Sequence, residues 1–407
     1  MLVKIKFSPI LNKISFNYSF NYRSLSLILL FFTTHLWARP EYALKTTTVS
    51  CSACHLNPFG GGARTVFGKA YGSFGKKLAP FSKQDLFSAD IRALGYFPQS
   101  NKVKTSGFTL MNVQGTINAP LSPAISDEPD EITKTNLVIN FTSPELNQLS
   151  GESFILIEPN PNLQFVVGKF ARPFGLLTDE HRTYIRMQTF SSLRDYESGI
   201  GMSHEIFETI HFDLTYTNTN GVTSEPTWGK VFNLRWTPYF VPFMFGISTS
   251  HHERPSKNDS YAQSFYGGYS FDRATQYNIP ITLTFEASHA KGWNNVDNSK
   301  LEGFLFSSSD LAFKNSIARK DSLGFYSQIL WNVRPHLSLL YKYDQLTLDD
   351  KYPADAFERH GIGLNWNLNA NLIFQVRTEY AKSGRSDLNK SSKGALDSLY
   401  FIVRAWM

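Results

Sequence analysis

Residues 323–343 read Leu-Gly-Phe-Tyr-Ser-Gln-Ile-Leu-Trp-Asn-Val-Arg-Pro-His-Leu-Ser-Leu-Leu-Tyr-Lys-Tyr. Leu323, Phe325, Ile329 and Trp331 fall on alternate positions, with Ser327 between them on the same face. After Asn332–Pro335 the alternation resumes as Leu337, Leu339, Tyr341 and Tyr343. Successive side chains of a strand point to opposite faces, so a period of two predicts two strands, each apolar on one side, joined by a short turn.

The same period runs outward from this stretch in both directions. It recurs at Leu137, Ile139, Phe141; Leu163, Phe165, Val167; Phe212, Leu214, Tyr216; and Phe232, Leu234, Trp236. It continues at Phe243, Phe245, Ile247; Ile281, Leu283, Phe285, Ala287; Ile362, Leu364, Trp366; and Leu372, Phe374, Val376. Pro, Gly, Asn or Asp separates the runs, and no helical period interrupts them. The chain therefore reads as all-β. With 407 residues, 42% of them hydrophobic, 34 Phe and 19 Tyr, it is too apolar for intrinsic disorder. Its densest apolar run, Leu25 to Phe32, falls short of the roughly 20 residues a membrane-spanning helix needs.

Strands of this kind close as a soluble sandwich or propeller, or as an outer-membrane barrel. Aromatic residues crowd the strand ends, as in Trp236-Thr237-Pro238-Tyr239-Phe240, where interfacial girdles belong. The chain ends in a strand with Leu399, Phe401, Val403, Ala405 and Met407 on one face. Long and short connections alternate back from the C-terminus, from 383–396 (long) and 369–370 (short) to 251–259 (long) and 239–240 (short). Short turns belong in the periplasm, which puts the C-terminus there and residues 170–198 outside. The expectation is a transmembrane β-barrel of about 14–16 antiparallel strands over 104–407. Asp85 to Leu94 reads as a short helix with Ser82 as its N-cap.

Residues 1–38 read as a signal peptide: Lys4, Lys6, Lys13 and Arg23 precede the apolar run, and Ala38 offers a small residue for cleavage. Residues 39–103 hold nine basic and three acidic residues, which leaves the remaining 304 at net −4 within a total of +6. A small basic segment before a mildly acidic domain excludes the charge footprint of a nucleic-acid binder. It favours docking of the segment in or under the barrel as a plug.

Both cysteines lie in Cys51-Ser52-Ala53-Cys54-His55, the attachment sequence of a c-type haem. Two thiols at this spacing bind the vinyl groups of one porphyrin edge, and the adjacent imidazole reaches the iron. A zinc site would need a fourth ligand, and a thioredoxin-like pair would need a βαβ setting. Residues 39–103 thus read as a monohaem plug. Asn57-Pro58-Phe59-Gly60-Gly61-Gly62 forms a turn, Arg64 and Lys69 are candidate propionate partners, and Phe59, Phe67, Tyr71 and Phe74 are candidate ring covers. Ordinary packing is the competing role for each. Residues 56–103 contain no His or Met, so either the sixth position of the iron is open or weakly bound, or the barrel supplies the ligand: His181 first, then Met111, Met202 or His204.

An exported Cys-x-x-Cys-His segment fused to a porin-like barrel resembles the outer-membrane cytochrome–porin fusions, best known as ferrous-iron oxidases. The specific part is Cys51-Ser52-Ala53-Cys54-His55-Leu56-Asn57-Pro58 and the glycines after it. Gly168-Lys169-Phe170-Ala171-Arg172-Pro173-Phe174-Gly175-Leu176 also looks like a strand-to-loop segment of oxyanion-selective porins. The resemblance implies electron transfer between an extracellular partner such as Fe(II) and a periplasmic carrier, through one haem c, in a protein bathed in outer-membrane lipid. The alternatives are a solute-transporting porin in which the segment is a plug or gate, and a soluble exported haem-binding β protein.

Overall fold

A computed structural model describes residues 54–59, 87–98, 107–121, 134–143, 151–160, 162–176, 183–189, 196–207, 209–218, 228–237, 242–253, 259–271, 280–292, 321–334, 336–347, 350–351, 356–369, 372–383 and 398–406. All belong to one compact unit, 34–407. The signal-peptide reading of 1–38 lies outside them.

Sixteen antiparallel strands form a closed barrel. They are β1 (Phe87–Pro98), β2 (Gly107–Pro120), β3 (Lys134–Ser143), β4 (Ser153–Asn160), β5 (Leu163–Ala171), β6 (Tyr196–Ile206), β7 (Ile210–Asn218) and β8 (Trp228–Trp236). The second half comprises β9 (Phe243–Glu253), β10 (Ser260–Ser270), β11 (Ile281–Lys291), β12 (Ser322–Arg334), β13 (Leu337–Thr347), β14 (Phe357–Asn369), β15 (Leu372–Ser383) and β16 (Ser398–Trp406). Each strand pairs with its sequence neighbours, and β1 pairs with β16 in the register Asp90↔Trp406 to Pro98↔Ser398. Closure removes every unpaired strand edge, the only way a sheet can cross a bilayer.

Two expectations are corrected here. Phe87–Pro98 is a strand and not part of a helix over 85–94, and the barrel begins at 87 rather than 104. The physical reason is long-range: Leu94 and Ile91 face strand partners on β2 and β16, and Asp90 is clasped by Arg404 of β16. Ladder pairing across more than 300 residues outweighs a local helical preference. The added strand settles the count at 16.

The alternation sorts inside from outside in the reverse sense of a soluble sheet. Ile247, Phe265, Phe325, Ile329, Trp331, Tyr341, Ile362 and Trp366 are exposed on the outer surface. Their neighbours Ser248, Ser264, Tyr326, Gln328, Lys342 and Asn365 are buried on the inner wall. An apolar exterior with a polar interior fits a lipid-facing barrel. Trp236 and Phe243 meet edge-on, 5.6 Å between centroids, at one rim, while Tyr216 and Trp228 stack at 5.0 Å at the other.

Candidate functional site

The lumen is occupied from two directions. The first is the segment leaving β5. Gly175 adopts φ 67°, a left-handed conformation that glycine takes without a Cβ penalty, where the chain turns into the barrel. Phe174 packs with Val231, Ala262 and Ala290 of β8, β10 and β11; Leu176 packs with Met244 and Tyr266 of β9 and β10. Gly175 N donates to Ser248 Oγ (2.9 Å) and Leu176 N to Glu286 Oε2 (3.0 Å). The segment then forms a one-turn helix, α1 (Tyr184–Thr189). Tyr184 N donates to Asp344 Oδ2 of β13 (2.7 Å), and Gln188 Nε2 donates to Ser322 O (2.8 Å) at the start of β12. The sequence placed 170–198 outside; its described parts instead cross the barrel interior.

Ion pairs fix both ends of this crossing. At its root, Arg172 Nε lies 3.0 Å from Glu197 Oε1, Nη1 lies 2.5 Å from His252 Nε2, and Nη2 donates to Thr189 O at 3.1 Å. At its far end, Arg359 packs over the Tyr184 ring (4.6 Å) and pairs with Asp344 at 2.5 Å, while Lys342 pairs with Glu379 at 2.5 Å. All these charged groups are buried, so each must be paired to offset its desolvation.

The second occupant is Cys54–Phe59. Leu56 and Phe59 pack with Val138, Phe154, Leu156, Val166 and Phe170, an apolar patch on the inner wall of β3 to β5. Phe59 and Phe170 meet at 5.3 Å between centroids. Gly201 of β6 makes room: a Cβ there would run into the Phe59 ring. Asn57 forms the turn read from the sequence, its Oδ1 accepting from Phe59 N (3.0 Å). Its Nδ2 donates to Glu152 Oε1 at 2.6 Å.

Glu152, in the connection just before β4, ties the two occupants together. It is 1% exposed and accepts from Asn57, from Asn140 Nδ2 of β3 (3.2 Å), and from Ala171 N at the root of the crossing segment (3.4 Å). Burial pushes its carboxyl up to about 7, and the Asn57 and Ala171 hydrogen bonds hold it from rising further.

Among the haem-related residues, Cys54 is buried and His55 half-buried at this docking point. Cys51, Arg64, Lys69 and His181 lie outside the described residues, as does the Met111 side chain. Met202 and His204 fall on the outward-facing positions of β6, flanking buried, inward Ser203. His204 Nδ1 lies 2.8 Å from Asn162 O and its ring meets Phe212 edge-on at 5.4 Å, so neither faces the lumen as an iron ligand would have to. Glu152 and the inner patch were not foreseen. Their signal was available: Phe154-Ile155-Leu156-Ile157 is continuously apolar, which a strand facing lipid on one side only does not require.

Solved structures share this architecture. The chain is similar to OmpF of Salmonella typhi, solved in complex with daunomycin (TM-score 0.55, 10% identity, covering 79% of this chain and 97% of that one). It is similar to the in-vitro-folded outer-membrane protein OmpT of Vibrio cholerae (0.52, 11%, 81% and 100%) and to the outer-membrane channel DcaP of Acinetobacter baumannii (0.51, 9%, 79% and 96%). At such identities the likeness shows the fold: a porin-type β-barrel of the outer membrane. No family model and no curated protein matches the sequence.

Proposed function

We propose that this barrel passes small hydrophilic solutes through a lumen governed by the N-terminal segment acting as a plug. The observation that carries the reading is the seating of Leu56, Asn57 and Phe59 on the inner wall, beside a crossing segment anchored by buried ion pairs. The polar inner wall and the porin-type comparisons support it. The test is conductance of the full-length protein in planar bilayers against Asn57→Ala/Phe59→Ala, which loosens the plug while leaving the barrel intact. The variant should conduct several-fold more; equal conductance from both would remove the plug from the mechanism.

A second reading, electron transfer between an extracellular partner such as Fe(II) and a periplasmic carrier, is favoured by one observation, the Cys51-Ser52-Ala53-Cys54-His55 motif. A buried thiol, an adjoining imidazole and an apolar wall suit a covalent haem c. Cys51 and Cys54 would hold it, His55 would ligate the iron, and Arg64, Lys69 and His181 are the remaining candidates. The group would supply a one-electron Fe(III)/Fe(II) couple. The chain's own contribution is positional: Leu56 and Phe59 exclude water from the docking patch, and Asn57 with Glu152 fixes the segment's entry angle. Adding Fe(II) to oxidised full-length protein should reduce the haem; an unchanged absorption spectrum would remove Fe(II) as donor.

A further inference from the structure

Three strand ends on the far side of the barrel bring together His289 at the end of β11, Asp321 just before β12, and Asp350 after β13. One nitrogen and two carboxylate oxygens, one from each residue, lie within 4.8 Å of one another. We propose that they form a binding site for a divalent transition-metal ion on the rim that carries the long connections, independent of any plug or haem chemistry.

The geometry is of the right size. An ion about 2.1 Å from each donor holds its ligand atoms roughly 3–4 Å apart, so small side-chain adjustments bring the three donors into a coordination shell. The backbone holds the carboxylates close: Asp350 N donates to Asp321 O at 2.7 Å, and β11 pairs with β12 from Ala290↔Ser322 and His289↔Leu323 onward. Two carboxylates held in such reach repel one another unless a cation lies between them. Among the described residues, Lys291 Nζ lies 3.7 Å from Asp321 Oδ2, but that side chain is 65% exposed and neutralises the carboxylate only weakly. The mixed donor set selects the ion: the imidazole favours Fe(II), Ni(II) or Zn(II) over the oxygen-seeking Ca(II) and Mg(II), and the two carboxylates beside it also admit Mn(II). His289 sits on the outward face of β11 with Phe285 and Ala287. Water would complete the shell at the level of the lipid headgroups.

The test uses full-length protein without a histidine tag, stripped with chelator and titrated with Mn(II) while the paramagnetic resonance of the free ion is followed. About one Mn(II) per chain should bind, resisting an equal concentration of Ca(II), and Zn(II) should displace it. His289→Ala and Asp321→Asn/Asp350→Asn should each weaken binding roughly tenfold or more. His251→Ala, at a separate His–Asp pair (3.1 Å to Asp259), should not. Folding of every variant is verified by its unheated gel mobility. Absence of saturable binding, wild-type affinity in the Asp variants, or displacement by equal Ca(II) would each overturn the proposal.

Discussion

Glu152 shows how much one buried carboxyl decides. In water it titrates near 4.5; in place it is pushed up to about 7, because burial penalises its charge more than Asn57 and Ala171 stabilise it. The folded state therefore holds a proton that the unfolded chain has already released. The resulting contribution to the folded state is complete below about pH 4.5 and is lost as pH rises through about 7, at most about 3 kcal/mol. Heat-induced loss of unheated gel mobility should accordingly set in at a lower temperature at pH 8 than at pH 5. Glu152→Gln, neutral throughout and still able to accept from Asn57, should flatten that dependence. If wild type and variant lose mobility with identical pH profiles, Glu152 does not carry the pH dependence. Phe59 acts through shape alone: Phe59→Ala leaves a cavity against Phe170 and Gly201 and should cost the docked segment about 3 kcal/mol.

At the scale of elements, the crossing segment behaves as a strut with two pinned ends. Arg172 serves Glu197, His252 and Thr189 at once, so removing it strands a buried carboxylate. Arg172→Met should lower stability by about 3–5 kcal/mol, and Arg172→Met/Glu197→Gln should recover much of that loss. Heat-induced loss of unheated gel mobility reads both, and a double variant no better than the single would mean that the pair is not the anchor. At the other end, Tyr184→Ala removes the ring under Arg359 but spares the backbone bond to Asp344. It should raise bilayer conductance and, because the ring is fully buried, cost about 3 kcal/mol. The alternating pattern of β5 predicts a strand, and that strand exists; the inward crossing after it depends on partners on β6 and on β8 to β14, eight other strands, which no local pattern encodes.

At the scale of the molecule, closure of sixteen strands leaves no free edge, and β1 contributes to it from a stretch that local reasoning made a helix. Far-ultraviolet circular dichroism should be dominated by strand, and unheated protein should migrate apart from boiled protein. The proposed covalent haem should stay with the chain on a denaturing gel, since thioether bonds survive denaturation, and Cys51→Ala/Cys54→Ala should lose it. Haem stain persisting in the double variant would refute covalent attachment.

The sequence by itself determined the class of sheet and which face of each strand meets lipid. Outward positions such as Ile247, Phe325 and Trp366 must be apolar whatever lies inside, and that requirement leaves a period of two in the text. The Cys-x-x-Cys-His spacing is also local and readable in the sequence, and the haem it implies rests on the proposal. The contents of the lumen were decided only in three dimensions. Inner residues answer to partners far away in the chain: Asn57 to Glu152, Tyr184 to Asp344, Asp90 to Arg404. Such pairs leave no period in the sequence, because the distance that matters to them is the width of the barrel.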